Sequence, residues 1–251
     1  MSDRNAAPSA PVRPPEVTTP LVVAIDGPSG SGKSSTARGV AQKLGLAFLD
    51  TGAMYRAATW LVLHSAVAAD DTAAVAALVE AADIALELDP GNPVVSINGT
   101  DVTQAIREPV VSAAVSSVAT NLAVRANLVA RQQEIIASAE RGIVAEGRDI
   151  TTVVAPDAPV RVLLVADPSA RVARRQAELG HRVTSADVTD QVIRRDRDDS
   201  TVARFTEAAE GVVVVDSTHL TLTEVIDRIA DLAHSSPQTA SAGSTARVVS
   251  R

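Results

Sequence analysis

The sequence has no cysteine, and its one tryptophan, one tyrosine and two phenylalanines bring aromatics to only 2% of 251 residues. Without cysteine there are no disulfides, no thiolate metal ligands and no cysteine nucleophile, a usage compatible with a reducing compartment. With so few rings, stacking platforms for nucleic acid are nearly absent. A net charge of −7 argues further against a nucleic-acid or anionic-membrane partner. No apolar run approaches the ~18 residues of a membrane span, and the first 20 residues hold five prolines but no apolar segment of a signal peptide. The four histidines, His64, His181, His219 and His234, fall at predicted helix ends or turns with no paired spacing, which speaks against a metal site or a histidine-based triad. A cytoplasmic protein is expected, and any anion site in it must be local.

What is present is ample core material, 46% hydrophobic residues drawn from Val, Leu, Ile and Ala. One stretch organises it. Gly27-Pro28-Ser29-Gly30-Ser31-Gly32-Lys33-Ser34 fits G-x-x-x-x-G-K-[ST] at every fixed position. The apolar run Leu21–Ile25 before it reads as a buried strand and Ser34–Leu44 after it as a helix, the context that distinguishes a phosphate cradle from a glycine-rich turn. Glycines let backbone amides approach a polyphosphate, and the helix N-terminus adds its unpaired amides and dipole. Lys33 supplies a mobile charge and Ser34 a ligand for Mg²⁺. The expected ligand is a nucleoside triphosphate.

Taken in order, residues 1–20 and 235–251 lack periodicity and are expected to be disordered extensions of a domain at 21–234. Ala47–Leu49 reads as a second strand, Asp50-Thr51-Gly52 as a turn, and Ala53–Ser65 as a helix with Tyr55 and Arg56 on its first turn. A helix at 72–82 leads to strands at 84–88 and 94–97, an antiparallel insert (about 66–107) expected as a lobe beside the main sheet. Helices starting at Pro109 and covering 122–138 carry Ser116, Arg125 and Arg131. The strand 142–145 runs into Glu146-Gly147-Arg148-Asp149, so polar groups stand where a parallel strand ends. Residues 160–165 read as another buried strand; after it a basic helix from Asp167 with Arg171, Arg174 and Arg175, a turn at Gly180-His181 and a helix at 187–199 with Arg194, Arg195 and Arg197 form a positive flap, a lid at about 168–200. Strand 212–215 and a final helix to His234, opened by a capping box of Thr221 and Glu224, close the chain. The fold class is therefore α/β, a P-loop NTPase fold with a parallel core sheet, an antiparallel insert lobe and a helical lid.

Phosphoryl transfer needs spread negative charge neutralised and two phosphates brought into line. Guanidinium forks grip phosphate oxygens two at a time, which makes candidates of Arg56, Arg148, Arg195 and the helix of Arg171, Arg174 and Arg175; a solvated surface charge is the alternative for each. Asp149 after a strand is open to four readings: a Mg²⁺-holding carboxylate, a general base, a reader of a base edge, or a helix cap.

The segments IDGPSGSGKSS, FLDTGAMYRA, EGRDITTVVAPDAPVRVLL, RRDRDDST and VVDST, in this order across about residues 21–234, closely resemble the bacterial cytidylate kinases, a family of nucleoside monophosphate kinases. The resemblance implies phosphoryl transfer from ATP, with Mg²⁺, to CMP or dCMP. By it, the cradle Gly27 to Ser34 with Ser35, Arg171 and Arg175 holds ATP, and Lys33, Arg148 and Arg195 act on the transferring group. Thr51, Tyr55, Arg56, Ser116, Arg125, Arg148, Asp149, Arg195 and Asp199 line the acceptor site: Ser116, Arg125 and Asp149 read the base, Arg56, Arg148 and Arg195 hold phosphate, and Asp199 meets the sugar. A carboxylate facing the cytosine amino group and a guanidinium facing its ring acceptors satisfy that base, whereas uracil would set an oxygen against the carboxylate. Two positions depart from the family pattern: Thr151 stands where glycine is usual, and Val202 where arginine is, with Arg204 two residues on.

A monomer meeting only small-molecule nucleotides is expected. The competing readings are a P-loop kinase for another acceptor such as UMP or shikimate, a degenerate nucleotide-binding regulator, and a GTPase-type switch, which would carry an Asn-Lys-x-Asp guanine reader; the chain has no Asn-Lys pair.

Overall fold

Five short apolar runs, β1 (Val22–Asp26), β2 (Ala47–Asp50), β6 (Ile143–Gly147), β7 (Val160–Val165) and β8 (Val213–Asp216), pair in parallel in the order β2-β6-β1-β7-β8. The computed structural model describes residues 20–179, 194, 196, 197, 200–203 and 205–236. Parallel strands buried on both faces read as continuous hydrophobic runs, as β1, β6 and β7 do at the centre of the sheet, while the edge strand β8 buries only Val215. Alternate residues of β1 serve opposite layers. Ala24 packs with Leu49, Ile143 and Ala145 against α2 (Thr51–Leu63), α3 (Thr72–Glu80), α4 (Pro109–Ala119) and α5 (Leu122–Ser138). Val23 and Ile25 pack with Phe48, Val144 and Val162 against α1 (Lys33–Leu44) and α7 (Leu222–His234).

The insert is a second, antiparallel sheet of β3 (Ile84–Leu86), β4 (Val95–Ile97) and β5 (Thr100–Asp101). Its hairpin turns on Asn98 and Gly99 at φ 50° and 75°, the left-handed pair that matches strand twist. Val95, Ile97, Val102 and Ile106 pack on Ala53 and Ala57 of α2, while Met54, Tyr55 and Ala58 of the same helix face the main sheet. Helix α2 is thus clamped between two sheets, which explains its nearly complete burial.

Several bounds differ from the sequence expectation for physical reasons. Helix α2 begins at Thr51 rather than Ala53 because the Asp50 side chain accepts the Ala53 N–H and caps it. Tyr55 and Arg56 therefore lie on its second turn. Strand β6 continues through Glu146 and Gly147 because β1 flanks it there, Ile25 opposite Glu146 and Asp26 opposite Gly147. Helix α5 and the capping box at Thr221 and Glu224 fall where the pattern puts them. Of the basic flap, helix α6 (Pro168–Leu179) and the residues 194, 196 and 197 are described. The turn at 180–181, most of the helix at 187–199, Arg195, Asp199 and Arg204 lie outside the described residues, as do the two extensions but for Pro20, Ser235 and Ser236. Among the described residues no helix is long and apolar enough to cross a membrane.

Candidate functional site

Sheet register decides where the site forms. Asp50 pairs with Glu146, so two carboxyls stand side by side at the carboxyl edge, where the loops of an open parallel sheet diverge and leave a crevice, while Asp26, opposite Gly147 on β1, turns to the other face. The cradle leaves β1 at that edge. Gly30 has φ 75°, and a Cβ there would stand 2.5 Å from the backbone oxygen of Arg171 on α6, so glycine is required both by conformation and by close approach. Gly32, at the N-cap of α1, offers no side-chain cap, which leaves the first amides of the helix for an anion. Lys33 Nζ donates to the Pro28 carbonyl at 2.9 Å, across the loop it would share with a phosphate.

Behind the cradle, Ser34 Oγ donates to Glu146 Oε1 at 2.6 Å, and Asp50 receives Arg56 Nη2 at 2.9 and 3.2 Å and faces Arg107 at 3.7 Å. The environment separates the two carboxyls. Burial pushes Glu146 up, and the neighbouring Asp50 charge pushes the same way against Lys33 and Ser34. Burial acts on Asp50 too, but Arg56, Arg107 and the Ala53 N–H outweigh it and hold its carboxyl below the usual carboxylate range. Glu146 is therefore the group that takes up a proton more readily while Asp50 keeps its charge. Hydroxyl and carboxylate oxygens at one cradle are the donor set that suits Mg²⁺, so Ser34 and Glu146 fit that ion. Among the described residues no cluster of three histidine or acidic side chains forms a separate metal site.

A cleft of about 1170 Å³ opens from the cradle, lined by Lys33, Ser34, Ser35, Asp50, Arg56, Glu146, Arg148 and Arg175, and by Asn92, Arg107 and Glu108 from the insert. Of the expected phosphate arginines, Arg148 directly follows β6. Arg56 does not follow a strand end; it reaches back to Asp50 from the second turn of α2. Gly147 between Glu146 and Arg148 is enforced by packing, since a Cβ would lie 2.5 Å from Thr51 Oγ1, which donates to the Glu146 carbonyl at 2.8 Å.

Over the cradle, Arg171 donates to the Ser29 carbonyl at 3.1 Å and Arg174 to the Ser31 carbonyl at 3.3 Å, so the basic helix does face the phosphate loop. Asp196 joins the site from outside the set of expected site residues. Its carboxylate accepts the Ser29 amide at 2.9 Å and Arg148 at 3.2 Å, and pairs closely with Arg171. Arg148 also lies 4.3 Å from the Phe205 ring centre.

The expected base readers gather apart from this cleft. Arg125 of α5 pairs with Asp149 in a close, nearly buried contact and lies 5.9 Å from the Tyr55 ring centre. Ser116 sits on α4 beside Val115, which packs in the same cluster as Tyr55. Asp149 starts the π turn Ile150–Val154 without capping it, so of its four sequence readings the helix cap is the one the geometry removes. Among the described lining residues of the cleft, Thr51, Tyr55, Ser116, Arg125 and Asp149 do not appear.

Residues 23–235 match the family model described as cytidylate kinase. The chain belongs to the cytidylate kinase family. It is 59% identical over 219 residues to the cytidylate kinase of Cutibacterium acnes, covering 86% of this chain and 96% of that one. It is 47% identical over 216 residues to that of Nocardia farcinica and 44% over 214 residues to that of Streptomyces avermitilis, in each case across 84% of this chain and 92% of the relative. As a cytidylate kinase it is an ATP-dependent nucleoside monophosphate kinase on a P-loop α/β fold. Against that chemistry, sequence reasoning missed Asp50, Glu146, Arg107 and Asp196. The first two carried a usable signal, an acidic residue at the end of an apolar strand; the other two are brought in only by tertiary structure.

Proposed function

We propose that this chain transfers the γ-phosphoryl group of ATP to CMP or dCMP, releasing ADP and CDP or dCDP, as a cytoplasmic monomer acting on small-molecule nucleotides alone. The domain is residues 21–234, with an insert lobe at about 66–107 and a lid at about 168–200. The observation that carries the reading is the single cleft in which the cradle lysine and arginines from α2, the β6 loop and α6 face one another. Cationic side chains converging from the cradle and three elements suit the triphosphate of a donor brought in line with the phosphate of an acceptor.

Lys33 and the cradle amides bind the β- and γ-phosphates of ATP, with Arg171 and Arg175 over them. Ser34 and Glu146 would hold Mg²⁺, which would neutralise charge on the phosphate oxygens. Arg56 and Arg148 position the acceptor phosphate in line, joined by Arg195 from the lid. Asp50 orients Arg56 through its two contacts and keeps the guanidinium fork turned into the cleft. The acceptor is already an anion, so no side chain acts as general base. Arg125 and Asp149, with Ser116, read cytosine, and Asp199 meets the sugar. Lid closure excludes water and suppresses idle hydrolysis. Incubating the purified chain with ATP, Mg²⁺ and CMP and separating the nucleotides by anion exchange should yield ADP and CDP in equal amounts; ADP without CDP would contradict the reading.

The Asp196 carboxylate occupies donors that a phosphate would use, namely the Ser29 amide, Arg148 and Arg171. A nucleotide must displace it. Asp196→Asn weakens this internal competitor, and ATP should bind ~3–10-fold more tightly by isothermal titration. Weaker binding in the folded variant would mean that Asp196 supports the site instead.

A further inference from the structure

Asp26, the last residue of β1, is 1% exposed, and its carboxylate takes no part in the chemistry above. It accepts three hydrogen bonds, all from the turn after β6: the Ile150 amide at 2.9 Å, the Thr151 amide at 2.8 Å and the Thr151 hydroxyl at 2.7 Å. A carboxylate this deeply buried is unfavourable unless its hydrogen bonds are well made. Its neighbours on either side are telling. Asp26 is followed directly by Gly27 of the phosphate cradle, and the turn is preceded directly by Arg148 and Asp149.

The first amides of a helical turn ordinarily find their acceptor in the side chain of the residue that caps it. Asp149 stands at that position, yet its side chain makes no capping bond and instead pairs with Arg125. Asp26 takes over the cap from across the sheet, with Thr151 adding a third donor. Thr151 is the residue standing where the family resemblance leads one to expect glycine.

We infer that Asp26 and Thr151 are positioning residues of the acceptor site: by capping the turn from outside, they keep Asp149 off its own turn and on Arg125. This tie also fixes the base-reading turn to the strand that carries the cradle, so donor and acceptor sites share one anchor. The inference rests on the reading of Arg125 and Asp149 as the groups that recognise cytosine. Removing the Thr151 hydroxyl takes away one of the three bonds that hold Asp26 on the turn, so Asp149 can compete with Asp26 for the Thr151 amide and leave Arg125, and the reader of the base is weakened although neither Arg125 nor Asp149 has changed.

The test compares Thr151→Val, which deletes the hydroxyl at nearly constant volume, with Thr151→Ser, which keeps it, in steady-state kinetics with CMP, UMP and ATP. Thr151→Val should raise the CMP KM ~3–10-fold and lower the CMP-over-UMP ratio by a similar factor, with the ATP KM within about twofold of the parent, and Thr151→Ser should restore both. If the valine variant does not fold, Thr151→Gly removes the same hydroxyl and is measured in its place. A lowered melting temperature with CMP and ATP KM both unchanged would mean a structural brace only and would overturn the inference. Asp149→Asn, run alongside, separates the two levels. Should it erode the CMP-over-UMP ratio while the Thr151 variants leave it intact, the positioning role alone is wrong; should it leave the ratio unchanged, the base-reading assignment fails and takes this inference with it.

Discussion

Replacing Lys33 with alanine is expected to lower kcat by at least ~100-fold, because a preorganised charge on a transferring phosphoryl group contributes several kcal/mol that appear only in the transition state. The geometry makes this a clean substitution. Lys33 is partly exposed at the start of α1, and its ammonium rests on the Pro28 carbonyl within the same loop. Gly30 and Gly32 hold the loop by their own backbone conformation, and Arg171 and Arg174 brace its Ser29 and Ser31 carbonyls from outside. The alanine variant should therefore melt near the parent temperature, and its ATP KM should rise less than its kcat falls. Loss of the ammonium also removes the lowering influence of Lys33 on Glu146, so the buried carboxyl moves further up. Steady-state kinetics beside a thermal melt decide the matter: near-normal turnover in a folded variant would show that the lysine is not the charge that matters.

The second large effect concerns choice of base. Asp149 and Arg125 form a nearly buried ion pair, and cytosine offers this pair an amino donor beside ring acceptors. Uracil offers an oxygen where the amino group stood, which leaves the carboxylate facing a second acceptor. An unpaired buried acceptor costs roughly 1–3 kcal/mol, or about 5- to 150-fold in kcat/KM. Asp149→Asn replaces one acceptor with a donor, so the CMP-over-UMP ratio should collapse by a factor in that range, CMP losing and UMP gaining. An unchanged ratio would place base recognition on other groups.

Much of this arrangement is legible in sequence because it is local. The strand, cradle and helix at 22–44 follow from one motif, α5 falls on the helix expected at 122–138, and α7 follows from the Thr221 and Glu224 box. Where local signals have two meanings, reading fails by a few residues: Asp50 looks like part of a turn but is the cap of α2, which moved Arg56 onto the second turn. The rest is long-range. Asp26 meets the turn at Ile150 and Thr151 across a separation of 124 and 125 residues, and Asp196 meets Ser29 across 167. No periodicity or spacing encodes such pairs. An aspartate inside Arg194-Arg195-Asp196-Arg197 reads as one charge on a solvated face, and a lone aspartate ending a strand reads as the start of a loop. The two carboxyls Asp50 and Glu146 show the same limit: each ends a strand in sequence, but only register sets them side by side and drives their ionisation apart.

The central claim is that one cleft carries phosphate to phosphate while a separate ion pair chooses cytosine. The most direct measurement is kcat/KM for ADP formation with ATP held saturating and CMP, dCMP, UMP and AMP each varied as acceptor. CMP or dCMP should exceed UMP by at least ~10-fold, AMP should be poorer still, and ADP release without an acceptor should be slow. A preference for UMP or AMP, or turnover that does not depend on the acceptor, would contradict the account.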